Sequence, residues 1–337
     1  MASRRLIVGC AGIGALALAA VVIVSVLAYS RITATVPLPD VAGFVGEDAR
    51  GFAVLALHAD DPWITALIER IDEKRRKRAD LLPLEITWVS FRAPDGTDGH
   101  AVRLAVSRRG RLIASLLDLA LWHAGHSGDV NVSRTERSGE GITSFPGSPL
   151  PGFLFVRDTS IVWAPTAASA DGAVATLGVP AGPSARSLLD RAPAAPRAIL
   201  RGALRNPDGS MARLLRSIPG RALDLEDDLT RSVEGVSFRF ETTSPDEGAG
   251  IVDIDFRPGT SPGEVSRFSG DLAGRIEGLG SGELILVTSV RIAGERATIE
   301  VLASGLLSLH APILAAPGKL REAFREHAIA QSDEGDA

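Results

Sequence analysis

Two rhythms alternate along the chain beyond residue 50. Val252, Ile254 and Phe256 are interleaved with Asp253, Asp255 and Arg257, the period of a half-buried strand. Val102, Leu104 and Val106 alternate with Arg103 and Ala105, which predicts that the valine–leucine side is the buried one. Strands are also expected over 51–58, 85–92, 199–204, 283–292 and 296–303. Between them the spacing lengthens to that of helices. Trp63, Ile64, Leu67, Ile68 and Ile71 follow Asp61-Pro62, a capping residue with proline at the first helical position, and predict a helix to about Lys77. Leu112, Ile113, Leu116, Leu117 and Leu121 predict a second helix, ending near His123. Val265, Phe268, Leu272, Ile276 and Leu279 predict another, opened by the capping box Ser261-Pro262-Gly263-Glu264.

Turn residues join the strands in pairs. Asp95-Gly96 and Asp98-Gly99 lie between 85–92 and 101–107, and a hairpin over 129–145 turns at Ser138-Gly139-Glu140-Gly141. The resulting order, β-α-β-β-α-β-β, recurs. Asn206-Pro207 repeats the cap-then-proline signal, and Met211, Leu214, Leu215 and Ile218 supply its helix. Val236-Ser237-Phe238-Arg239 repeats Val89-Ser90-Phe91-Arg92 letter for letter, and Gly294-Glu295 matches Gly139-Glu140. The expected fold class is therefore α+β: two duplicated units of antiparallel sheet with helices on one face. A short hairpin about Arg157-Asp158-Thr159 has no counterpart in the second unit. Residues 165–196 are rich in alanine, glycine and proline, with a small helix over 184–191 and a unit boundary at 193–196. A helical region over 306–330 is interrupted at Pro312 and Pro317.

Ahead of all this, residues 6–29 are uncharged and mostly aliphatic, and about 20 apolar residues suffice to cross a bilayer as a helix. Arg4 and Arg5 precede the run, so the positive-inside tendency places residues 1–5 in the cytoplasm and exports the rest. This predicts a single-pass membrane protein whose domain lies outside the cytoplasm, on the periplasmic side of a bacterial inner membrane. Cleavage after Ala28 is the alternative, although a signal-peptide core is usually shorter. The expected organisation is 1–5 cytoplasmic, 6–29 anchor, 30–46 spacer, 47–192 first unit, 193–330 second unit and 331–337 acidic tail.

Composition narrows the chemistry. A net charge of −5 removes the positive footprint of a nucleic-acid binder. The single cysteine, Cys10, lies within the anchor, so the exported part has no disulfide, thiol nucleophile or cysteine metal site. His123, His126 and Asp129 form the best metal candidate, but the histidines are three apart rather than the four that metal-binding helical pairs use. Asp95 with Asp98, and Asp246 with Glu247, are turn acids that lack calcium-loop spacing. Asp253 and Asp255 share a strand face and read as solvated charge rather than a glycosidase pair. The cluster Lys74-Arg75-Arg76-Lys77-Arg78 closes the first helix, where cations suit the helix dipole. Trp63, Trp88, Trp122 and Trp163 read as core. No nucleophile elbow, phosphate loop or dinucleotide fingerprint is present, and no cofactor is expected.

These readings predict a non-enzymatic interaction or envelope-assembly module, with the bilayer as one partner through residues 6–29 and another envelope protein as the second. A carrier of an apolar ligand such as lipid is the first alternative and would need a sizeable apolar cavity. A metal-dependent hydrolase at His123, His126 and Asp129 is the other.

Overall fold

A computed structural model describes residues 35, 37–58, 60–70, 83–92, 98–107, 110–126, 132–137, 139–145, 152–157, 159–176, 179–195, 198–206, 230–280 and 282–309. The expected anchor, the cluster at 74–78, Asp95, Asp129, the helix after Pro207 and the tail lie outside them. Among the described residues no helix is long and apolar enough to cross a membrane.

The strands are β1 (Ala49–Leu57), β2 (Leu84–Arg92), β3 (Asp98–Val106), β4 (Ser133–Arg137), β5 (Glu140–Ser144), β6 (Phe153–Arg157), β7 (Ser160–Ala164), β8 (Ala198–Arg205), β9 (Val233–Thr242), β10 (Glu247–Phe256), β11 (Ile285–Ala293) and β12 (Arg296–Ser304). The helices are α1 (Pro62–Arg70), α2 (Gly110–His126), α3 (Ala167–Thr176), α4 (Pro183–Asp190) and α5 (Pro262–Gly278). The mixed α+β class holds, with antiparallel pairing throughout the described strands.

Two separate sheets do not form. All 12 strands among the described residues belong to one sheet, in the order β11-β12-β10-β9-β8-β1-β2-β3-β7-β6-β5-β4. β1 and β8 meet at its centre, with Ala53 opposite Gly202. The approach there is close: a Cβ on Gly202 would stand 2.4 Å from the Phe52 carbonyl oxygen and 2.5 Å from the Phe238 ring. α1 reinforces the fusion. Asp61 caps it by accepting from the Trp63 and Ile64 amides at 2.9 and 3.2 Å, as the Asp-Pro signal predicts. Its other oxygen accepts from Thr242 at 2.5 Å, and Trp63 Nε1 donates to the Leu306 carbonyl at 3.1 Å, so this helix packs on the second half of the chain.

Residues directly opposite one another on adjacent strands share a face, which assigns every helix to a side of the sheet. α5 lies on the side of Val236, Ile254 and Ile299, where Phe268 meets Phe256 edge-on at 5.7 Å between ring centres. α2 lies on that same side: Asp118 binds Arg134 at 2.8 Å, and Arg134 is in register with Thr143, Leu154, Trp163 and Val102. The opposite side is covered over β1–β3 and β5–β8 by residues 41–46, α3 and α4. There Phe44, Ala173 and Leu188 join Phe52, Val89, Ala101, Phe155 and Val162 in one buried cluster. Residues 41–46, expected as part of a spacer, thus contribute Val41, Phe44 and Val45 to the core.

Four sequence expectations change. The more buried side of β3 carries Ala101, Arg103 and Ala105, at 0, 1 and 0 % exposure, because Arg103 is matched inside the fold rather than solvated. Its Nη2 donates to Glu85 at 2.6 Å and to Thr87 at 3.2 Å, its Nη1 donates to the Asp40 carbonyl at 3.1 Å, and its guanidinium stacks over Phe44 at 5.2 Å. The repeated Val-Ser-Phe-Arg letters do not mark equivalent positions. Val89 and Phe91 point to the α3–α4 side whereas Val236 packs with α5, a one-residue difference in phase that reverses every side chain. Trp122 is 50 % exposed on α2 and is no core residue. Residues 167–176, whose alanine, serine and glycine show no apolar stripe, are helical because Ala170, Ala173 and Val174 lie close on the sheet.

Candidate functional site

One cross-strand row shows how the two halves differ. It runs Phe155, Val162, Arg103, Thr87, Val54, Arg201, Arg239, Ile251, Glu300, Ser289, each residue opposite the next. The first five positions are at most 2 % exposed under α3, α4 and residues 41–46. Among the described residues the cover ends at Arg201: its Nη1 donates to the Ala192 carbonyl at 2.7 Å just past α4, and its guanidinium sits 5.7 Å over Phe52. Burial holds the Arg201 pKa below its ordinary value, with Glu85 and Asp40 pulling it back up. Beyond it, Arg239 and Ser289 are exposed and Ile251 is 37 % exposed.

The next row makes the open side apolar. Val287, Leu302 and Ala249 stand opposite one another, with Val287 54 % and Leu302 62 % exposed. Ile285, 57 % exposed, extends this patch at the end of β11. A depression of about 270 Å³ lies over Ala249, Ile251, Val287 and Leu302. The strands carry branched residues here because their other side needs them: Val252, Ile254, Ile299 and Val301 pack beneath α5. That need does not account for Ile251, Ile285, Val287 and Leu302, which alternate onto the bare side. An apolar sheet surface of this kind is a marker of interaction.

Where α4 ends, the step down to the open side forms a cleft of about 400 Å³ between Ser187, Asp190 and Arg191 and the residues Ser237, Asp253, Asp255 and Arg296. Asp255 bridges Arg191 and Arg296, both at 3.3 Å, and Asp253 accepts from Thr298 at 2.7 Å. Arg191 Nη1 is buried with no hydrogen-bond partner. The charges across the open side are largely matched within it, Arg239 by Glu241 at 3.2 Å and Arg291 by Glu300. Asp253 and Asp255 are thus held by neighbours, an arrangement unlike a paired acid and base awaiting substrate.

The other sequence candidates are dispersed. His123 is exposed on α2, His126 ends that helix and Asp129 lies outside the described residues, so the three are not shown to converge. Among the described residues no group of three or more histidines, cysteines, aspartates or glutamates is placed to hold a metal. Asp98 pairs with Arg50 at 3.0 Å. Asp246 accepts the Leu307 amide at 2.8 Å, and Glu247 binds back into its own turn through Ser244, both structural roles. His100 is half-buried 6.2 Å from the Trp163 ring, and desolvation lowers its pKa. Sequence reasoning missed the open side because alternation reveals that a strand has two sides, not which of them the rest of the chain covers. The available signal was the presence of Ile251, Val287 and Leu302 on the polar phase of their strands.

No family model, curated protein or solved structure matches this chain.

Proposed function

We propose that the chain is a membrane-anchored interaction module, tethered by residues 6–29 with its sheet outside the cytoplasm, that binds another envelope protein through the open half of the sheet. The observation that carries this reading is the row from Phe155 to Ser289, buried under helices in one half and bare in the other, with Ile251, Val287 and Leu302 at its open end. Aliphatic residues ringed by paired charges suit a protein surface, with an apolar centre and a polar rim. Carriage of a lipid finds less support, since the depression beside Leu302 is small, about 270 Å³, and the larger cleft is charged.

The module is further proposed to be an internal duplication. Its support is the strand path, β1-β2-β3-β7-β6 in one half and β8-β9-β10-β12-β11 in the other, radiating from a central antiparallel β1–β8 pair. α2 and α5 then take the same place on the same side. On this reading β6–β7 corresponds to β11–β12, and β4–β5 is the addition to the first unit.

The test is a photo-crosslinking residue in place of Leu302 in the full-length protein, expressed in its own membrane, with Leu279 (46 % exposed, beside α5) as control. A discrete protein adduct from position 302 and not from 279 is expected. Adducts to lipid alone, or equal labelling at both positions, would overturn the reading.

A further inference from the structure

The two ends of the sheet are finished differently. An edge strand presents a row of unpaired main-chain donors and acceptors, and folds blunt it with short length, charge, proline or a bulge. β4, at one end, is blunted: Ser133 to Arg137 is a short strand, and Arg134 on it is tied back to Asp118 of α2. β11, the last strand at the other end among the described residues, has no such device. It runs from Ile285 to Ala293 without proline and in unbroken register with β12. Its one charge, Arg291, is bonded back to Glu300 on β12. Val290 and Ile292 are exposed, although they stand opposite Ile299 and Ala297, which pack beneath α5. We propose that β11 is a dimerisation edge: a second copy of this chain lays its own β11 antiparallel to this one, about a two-fold axis at Val290, and joins the two sheets into one.

The hydrogen-bond phase of the strand sets that register. Phe256 donates its amide to the Glu295 carbonyl at 2.8 Å, so residues 295, 297, 299, 301 and 303 turn their main-chain groups to β10 and those between turn theirs to β11. The partners of the latter, residues 285, 287, 289, 291 and 293, therefore face inward, and the amides and carbonyls of Leu286, Thr288, Val290 and Ile292 point off the sheet. Two of these positions are obstructed. Glu277, near the end of α5, accepts from the Thr288 amide at 2.9 Å and from its hydroxyl at 2.8 Å. Gly280 lies beside Leu286, where an added Cβ would stand 3.6 Å from the nitrogen. The unobstructed edge is Val290 and Ile292.

Pairing centred on Val290 uses that edge. Each Val290 amide donates to the other copy's Val290 carbonyl, and each Ile292 amide to the other copy's Thr288 carbonyl, with Glu277 left in place. Centring on Thr288 would need the amide that Glu277 holds. Centring on Ser289 would draw Leu286, beside Gly280, into the ladder, and centring on Arg291 would set two guanidinium groups directly opposite. About Val290 the rows across the seam are matched. On the α5 side one row reads Ile299, Val290, then the other copy's Val290 and Ile299, aliphatic throughout. On the bare side Glu300 and Ser289 meet the other copy's Arg291 and Thr298, which puts opposite charges on the two sides of the seam. A two-fold interface needs a surface complementary to itself, and this strand supplies one.

The test is disulfide trapping on the full-length protein in its own membrane, with Cys10→Ser removing the only native cysteine. Bonded residues directly opposite one another have Cα atoms about 5.5 Å apart, within disulfide reach. Val290→Cys is therefore expected to give a linked dimer in most molecules under mild oxidation. Ile292→Cys, displaced from its counterpart by about 13 Å along the strand, should link at least tenfold less, as should Thr135→Cys on the β4 edge. Equal linking at 290 and 292, or none at 290, would overturn the proposal. Val290→Pro gives a second readout, since an edge strand tolerates proline where the amide faces outward. The urea midpoint should hold while the dimer fraction in mild detergent, read by native mass, falls at least tenfold. A dimer that survives the proline on a folded chain would overturn the proposal, and if that variant fails to fold, the comparison of 290 with 292 decides alone. A link from position 290 to a different protein would make the edge a site for that protein's strand and refute the second copy. The dimer stands or falls separately from the partner reading: it carries twice the chain mass, whereas the adduct at position 302 carries the mass of another protein.

Discussion

Glu85→Gln isolates the charge that holds the centre of the fold. Arg103 is 1 % exposed and Glu85 8 % exposed, and the arginine's donors also reach the carbonyls of Pro39 and Asp40. The substitution preserves shape and one acceptor oxygen but leaves the guanidinium buried without its counter-ion. Breaking a buried pair from one side typically costs about 3–5 kcal/mol, and the retained oxygen sets the expectation at the lower end, about 3 kcal/mol. For a chain of this size that is a fall of roughly 4–6 °C in Tm, measured on the detergent-solubilised full-length protein. The double variant Glu85→Met with Arg103→Met removes both charges, and an apolar pair in place of a buried ion pair is often neutral, so stability should return to within about 1 kcal/mol. Hydrogen exchange separates the two effects. In the double variant the amides of Phe44 and Val45 should still exchange faster than in the parent, because the carbonyls at 39 and 40 have lost their donors. A loss below about 1 kcal/mol for Glu85→Gln would refute the reasoning, since it would mean that water reaches Arg103.

Two further outcomes follow from the geometry. Gly202→Ala places a Cβ against the Phe52 carbonyl and the Phe238 ring at the β1–β8 junction and should cost about 2–3 kcal/mol in urea unfolding, whereas a cost under about 0.5 kcal/mol would contradict a continuous sheet. His100 has its pKa lowered by burial from the ordinary 6.5, so the unfolded chain binds its proton first: the stabilising contribution is complete above about pH 6.5 and is lost as pH falls below it. His100→Phe should therefore flatten the decline in Tm between pH 7 and pH 5, and an unchanged slope would show that this histidine is not its source.

The elements were largely legible because each rests on a local signal. Asp61-Pro62 caps α1 as written, and Ser261 with Glu264 forms the capping box that opens α5. Hairpins declared themselves through Gly139 and Gly294, both at positive φ. What was not legible depends on contacts distant in sequence. The pairing of β1 with β8 joins positions some 150 residues apart and turns two expected sheets into one. Arg103 read as a solvent-facing residue because its partners, Glu85 and the carbonyls of residues 39 and 40, belong to other segments. Residues 167–176 carried no periodic stripe, since a helix of small residues can approach a sheet without one. The candidate site was present in the letters, as Ile251, Val287 and Leu302 out of phase with their strands' core side. Its meaning depended on knowing where the cover stops.

The central claim is that this open side serves a partner rather than the fold, and paired charge substitutions test it most directly. Ile251→Glu with Leu302→Glu is to be compared with Leu279→Glu for unfolding free energy and for the protein adduct trapped from a photo-crosslinker at Val287. The account predicts stability within about 0.5 kcal/mol of the parent, as for exposed positions, together with loss of at least nine-tenths of the adduct in the double variant alone. Destabilisation by more than about 2 kcal/mol would show that these residues belong to a buried core. An undiminished adduct on a stable fold would show that the open side is not where the partner binds.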